Sequence, residues 1–209
     1  MNTTRRQISL GFTETRVEEG QHICYIYNDD DERKRTIAKF LESGLLENEK
    51  VLYLVDDMTP NEMVEELQRL GLDADASGDQ LRIQDASETY CPGGRFETDE
   101  ILELTEHFYQ QAVRQEGRAG ARGAGEMSWC LRDRAVDRRE LMRYEARLNH
   151  LVAHCPYTPC CQYDARRFDG ATLLDVLSVH NVMIVRGQLV QNPYYVDPDE
   201  FLQQPAMRE

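Results

Sequence analysis

The stretch His22-Ile23-Cys24-Tyr25-Ile26-Tyr27 runs directly into Asn28-Asp29-Asp30-Asp31-Glu32-Arg33-Lys34-Arg35, with no glycine between the two blocks. The first block is apolar and rich in β-branched and aromatic residues, which predicts a buried strand; the second is a charged helix start. In α/β nucleotide-binding proteins this first strand-to-helix junction carries a glycine-rich loop whose bare N–H groups cradle phosphate. Four consecutive acids, Asp29 to Glu32, stand there instead and would repel it. The motif G-x-x-x-x-G-K-[ST] occurs nowhere in the chain. The junction thus permits an enzyme-like frame from which the phosphate chemistry has been removed.

From Gly20 onward, apolar runs alternate with amphipathic segments, which predicts a three-layer α/β fold: a mostly parallel sheet with helices on both faces. Ile37, Phe40, Leu41 and Leu45 recur at helical spacing, with Gly44 as a C-terminal cap. Val51 to Val55 is a second strand ending in Asp56-Asp57. Thr59-Pro60-Asn61-Glu62 opens a helix with a capping box, and Gly71 closes it. Leu81-Arg82-Ile83 is a third strand, and a Pro/Gly-bearing loop through Tyr90-Cys91-Pro92-Gly93-Gly94 follows it. Ile101, Leu104, Phe108 and Ala112 mark the next helix. Gly125-Glu126-Met127-Ser128-Trp129 then reads as a strand with Trp129 at its end, preceded by a small-residue and arginine stretch. A long helix from Asp137 to about His154 and a strand at Cys160 to Asp164 come next. A helix around Leu173 to Val179 precedes a terminal β-hairpin, 182–185 and 189–190, turning at Gly187.

The 209 residues suit one domain, with residues 1–19 as an N-terminal extension and 20–201 as the core. A formal net charge of -14 argues against nucleic acid and anionic membranes as partners. With neither an apolar run of membrane length nor an export signal, a cytoplasmic protein is expected. The six cysteines are then expected as reduced thiols; they contain no C-x-x-C, so a zinc ribbon is not indicated.

Ligands of open α/β sheets gather outside the carboxyl ends of the strands, where Asp56, Glu126, Asp164 and Trp129 would meet. The alternative for each acid is a helix cap or an arginine partner. His22 and Cys24, two apart on a strand, share a face, and an imidazole beside a thiol suits a soft metal or a small polar ligand. Further donors would have to come from Cys161, His180 or a neighbouring acid; otherwise the pair is a packed thiol beside a hydrogen-bonded histidine. Nothing around Cys24 suggests a nucleophile elbow. Tyr25 and Tyr163 are core residues or the polar-tipped walls of a small-molecule pocket.

Taken together, several segments resemble the MEDS family, the methanogen/methylotroph DcmR sensory domains. They are residues 22–27 with their acidic continuation, Lys50 to Val55, Gly125 to Trp129, Cys161-Gln162-Tyr163-Asp164, and His180 with Gly187 and Asn192-Pro193-Tyr194. The resemblance implies a RecA/KaiC-like domain without the P-loop, a non-enzymatic sensor of small hydrocarbon derivatives such as one-carbon compounds. It further implies regulation of a separate kinase, regulator or anti-sigma partner, and a homodimer is compatible with it. The chain departs from the family pattern at Asn181, where proline is expected, and no output segment is recognisable. The ligand-binding set expected is His22, Cys24, Tyr25, Asp56, Glu126, Trp129, Cys161, Tyr163 and His180, with His22, Cys24 and Cys161 as metal candidates, no catalytic residue and no identifiable cofactor. Two other readings remain: a metal- or redox-sensing protein, and a degenerate RecA-like ATPase using Asp56 and Glu126 for magnesium and water.

Overall fold

The computed structural model describes residues 5–132 and 136–204. Two short strands, β1 (Gln7–Ile8) and β2 (Val17–Glu18), pair antiparallel ahead of the main sheet. The chain then runs β3 (Ile23–Tyr27), α1 (Asp30–Leu46), β4 (Glu49–Val55), α2 (Pro60–Arg69), β5 (Leu81–Asp85), α3 (Ala86–Tyr90) and α4 (Thr98–Gln110). It continues through β6 (Gly120–Glu126), α5 (Arg138–His154), β7 (Thr158–Asp164), α6 (Gly170–Val179), β8 (Val182–Val185), β9 (Gln188–Gln191) and α7 (Pro198–Leu202). Seven strands form one sheet in the order β5-β4-β6-β7-β3-β8-β9, parallel throughout except for β9. The expected three-layer α/β architecture and terminal hairpin are present.

Side-chain alternation divides the core. Ile23, Tyr25, Tyr27, Val51, Tyr53 and Val55 point to the α1/α2 layer with Ile37, Phe40, Leu41, Met63 and Leu67. Cys24, Leu54, Cys161 and Tyr163 point to the opposite layer with Leu141, Tyr144, Leu148 and Val176. Ile8 and Leu10, fully buried, extend the first of these clusters.

Local signals account for several boundaries. Asp29 caps α1 by accepting from the Glu32 N–H, and the Thr59/Glu62 capping box opens α2 with both of its hydrogen bonds. Gly44, expected as a cap, lies inside α1. A Cβ there would come within 2.7 Å of the Arg122 side chain, so glycine admits that buried guanidinium, while the turn after α1 is made by Asn48 at φ 58°. The strand expected at 125–129 also lies elsewhere: β6 is Gly120–Glu126, and Trp129 sits on the short 3₁₀ turn that follows. Glycine and alanine have low strand propensity, but large groups are laid over this central strand. A Cβ on Gly123 would fall 1.7 Å from the Tyr157 hydroxyl, and one on Gly125 2.8 Å from that of Tyr90.

Candidate functional site

Two buried polar centres lie on opposite faces of the sheet. At the carboxyl ends, α1 follows β3 after only Asn28 and Asp29, and its buried stripe, which carries Ile37, Phe40 and Leu41, begins with Arg33. Arg33 Nη1 donates to Glu126 Oε1 at 2.6 Å, to Tyr53 Oη at 3.1 Å and to Gln162 Oε1 at 3.2 Å. The Tyr53 hydroxyl donates to the same carboxylate oxygen at 2.7 Å, and the other oxygen accepts the Asp56 and Asp57 N–H groups at 2.7 and 2.8 Å. The end of β6 is thus occupied by an internal ion pair. The outlying acids also meet arginines: Asp56 with Arg132 at 2.7 Å, Asp57 with Arg167 at 3.1 Å, and Asp164 and Asp30 with a shared Arg166.

The second centre lies between the sheet and α5. His22 precedes the first residue of β3, at the amino end of that strand rather than its carboxyl end. Its Nε2 is 3.1 Å from Glu145 Oε2 and 3.6 Å from Cys161 Sγ; Cys161 Sγ and His180 Nε2 each lie 3.6 Å from the same Glu145 oxygen. The Tyr163 hydroxyl donates to Glu145 Oε1 at 2.5 Å. His22, Glu145, Cys161 and His180 are all buried, and their ligand atoms lie within 4.8 Å of one another. Burial works against the Glu145 charge, yet hydrogen bonds from His22 and Tyr163 and the charge of the imidazoles hold its carboxyl below the usual range. Burial and the nearby Glu145 raise the Cys161 thiol well above its ordinary value, and burial lowers His180 to about 3.

His22, Cys161, Tyr163 and His180 therefore come together. Cys24 shares the face of His22, but its thiol is not one of the four converging donors. Tyr25 points to the other layer, its hydroxyl donating to Glu32 at 3.2 Å. Asp56 and Glu126 belong to the carboxyl-end network. Trp129 is buried in an aromatic cluster, stacked on Tyr90 at 4.6 Å and against Phe96 at 5.4 Å. Asn181, the departure from the family pattern, accepts the His22 N–H through Oδ1 at 3.2 Å. Asn192 donates to the His180 carbonyl at 2.7 Å.

Glu145, Asn149 and Arg33 were not among the expected site residues. The available signal was a polar pair four apart, Glu145 and Asn149, on the α5 face that also carries Leu141 and Leu148. For Arg33 it was a cation on the stripe of Ile37 and Phe40.

Between the middle of the sheet and helices α4 and α5 lies a cavity of about 190 Å³. Leu54, Ile101, Phe108, Tyr90 and Tyr144 line it, Gly123 and Gly125 form part of its floor, and Cys161 is shared with the second polar centre.

Fold and sites together define a RecA-like α/β domain in which an arginine-carboxylate pair fills the end of the strand where nucleotide chemistry would be expected. The chain matches the MEDS family, the methanogen/methylotroph DcmR sensory domain, over residues 21–181, and belongs to that family. Among solved structures it is similar to a KaiC-like protein from the hyperthermophilic archaeon Pyrococcus horikoshii OT3. The TM-score is 0.59 at 14% identity over 86% of this chain and 80% of the other, a likeness of fold. No curated protein shows significant similarity to the chain. No helix among the described residues is long and apolar enough to cross a membrane.

Proposed function

We propose that this sensory domain binds a small apolar molecule, a hydrocarbon derivative of the size class that includes one-carbon compounds, in the cavity beneath α4 and passes the signal, without catalysis, to a separate signalling protein. The observation that carries this reading is the cavity itself: about 190 Å³, walled largely by aliphatic and aromatic side chains. An apolar cavity of about 150 Å³ in another protein stays dry and takes up benzene or xenon. Molecules from a halogenated methane up to benzene therefore fit. Membership of a sensory family supports the signalling role. The Arg33–Glu126 pair counts against the ATPase reading, since phosphate would have to displace a buried ion pair.

Trp129, the only tryptophan in the chain, stacks on Tyr90 in the cavity wall and is a built-in reporter. Dichloromethane, chloroform and benzene are expected to shift its emission and raise the melting temperature. Affinity should grow roughly fourfold per added carbon until the space is filled, from about 0.8 kcal/mol per buried methylene. Leu104→Phe, at a half-exposed wall position, is expected to occupy the cavity and abolish the response with the fold intact. Silence of the wild-type chain toward all three probes sinks the reading.

A further inference from the structure

We propose that His22, Glu145, Cys161 and His180 form a closed, four-coordinate site for one divalent ion of the zinc class. The inference is independent of what occupies the neighbouring cavity and rests on hydrogen-bond direction and donor geometry.

The Asn149 amide orientation is fixed, because its Nδ2 faces three carbonyls, those of Val179 at 2.8 Å, Glu145 at 3.1 Å and Ala146 at 3.4 Å. Its Oδ1 therefore meets His22 Nδ1, 3.3 Å away, which must carry the proton. His180 Nδ1 lies 2.7 Å from the Val176 carbonyl and is likewise the N–H of its ring. His180 thus presents a bare Nε2 lone pair to the same Glu145 oxygen that His22 Nε2 meets. His180 Nε2 is buried and has no hydrogen-bond partner among the described residues. The Cys161 thiol donates to that oxygen, but the His180 lone pair and the carboxylate oxygen face each other at 3.6 Å in a dry interior, where they repel unless a cation stands between them.

Donor spacing selects the cation. Metal–nitrogen and metal–oxygen bonds near 2.0–2.1 Å and a metal–sulfur bond near 2.3 Å place tetrahedral donors about 3.3–3.6 Å apart. Three separations in the cluster are 3.6 Å and a fourth is 3.1 Å. Two imidazoles, a carboxylate and a thiolate suit zinc better than magnesium or calcium, which take all-oxygen shells. The outer partners are those of a metal site: an acceptor on each Nδ1–H and a phenol on the second carboxylate oxygen. On binding, the ion displaces the protons that the Cys161 thiol and His22 Nε2 share with Glu145, and both leave to solvent. The thiolate and the Glu145 carboxylate then balance the ion, leaving no net charge in the interior.

The test uses the full chain, stripped with a chelator under reducing conditions and titrated with Co²⁺. One equivalent is expected to give the visible bands of tetrahedral cobalt and a near-ultraviolet thiolate-to-cobalt band, both erased by Zn²⁺. Cys161→Ser should lose the near-ultraviolet band. Tyr163→Phe and Asn149→Ala, which leave all four donors, should fold as judged by circular dichroism and bind Zn²⁺ about 10–100-fold more weakly. Absence of a cobalt spectrum in folded wild-type chain overturns the proposal, since a proton alone then holds the cluster. A near-ultraviolet band that survives Cys161→Ser overturns the ligand set.

Discussion

Arg33 Nη1 and Glu126 Oε1 meet at 2.6 Å with both side chains 1% exposed, 93 residues apart in sequence, beside the junction where a phosphate loop would turn. The pair is buried, shares hydrogen bonds with Tyr53 and Gln162, and is joined through Glu126 to the backbone of Asp56 and Asp57. Removing one member leaves an uncompensated charge in the interior. Arg33→Met and Glu126→Gln are each expected to destabilise the chain by about 3–5 kcal/mol in urea unfolding, with the double variant losing much less than the sum. Additive losses would mean that the two side chains act separately.

The same pair predicts how the protein meets nucleotide. ATP with Mg²⁺ at millimolar concentration is expected to leave the melting temperature unchanged, because the Asp29 carboxylate already caps the start of α1 and Asp30, Asp57 and Asp164 surround the junction. A saturable rise in melting temperature would restore the ATPase reading.

Legibility of the sequence followed the range of the interaction. β3, β4 and the capped start of α2 are written in adjacent residues, so apolar runs and the Thr59/Glu62 box locate them. β6 is not, because the small residues of Gly120 to Gly125 make sense only once Tyr157 and Tyr90 are known to lie over them. The candidate sites divide the same way. His22 and Cys161 could be named as chemistry-bearing residues, yet Glu145, which joins them, is 123 residues from His22, and its place on the Leu141/Leu148 face does not say what it meets. The sheet order brings them together: β7 lies beside β3, with Cys161 opposite Cys24.

Packing over β6 gives a direct test. Gly123→Ala places a Cβ against the Tyr157 hydroxyl and is expected to cost about 1–3 kcal/mol as overpacking. Adding Tyr157→Phe removes the closest atom and should recover part of that loss. Equal stability of Gly123→Ala and wild type would show that the strand tolerates a side chain.

Asp56 sets a pH dependence with a definite sign. Burial raises its carboxyl from 3.8 to about 6, against the opposing charge of Arg132. The folded chain therefore holds this proton between about pH 4 and 6 while the unfolded chain has released it. The contribution is complete below about 4 and is lost as pH rises through about 6. Asp56→Asn carries no such proton, so its stability relative to wild type should increase between about pH 4.5 and 7 in urea titrations. Parallel pH profiles for the two proteins would refute the assignment.

All six cysteines are unpaired and buried, and burial raises the thiols of Cys24, Cys130 and Cys155 each to about 12. Reactivity follows the thiolate, so exposure rather than redox tuning governs these groups. In the native chain, Ellman's reagent is expected to modify cysteine only as fast as the protein opens. After unfolding in guanidinium all six should react at once. Stabilising the fold, for instance with bound Zn²⁺, should slow the native reaction further. A thiol that reacts within the mixing time in native buffer would instead mark a redox-sensing cysteine.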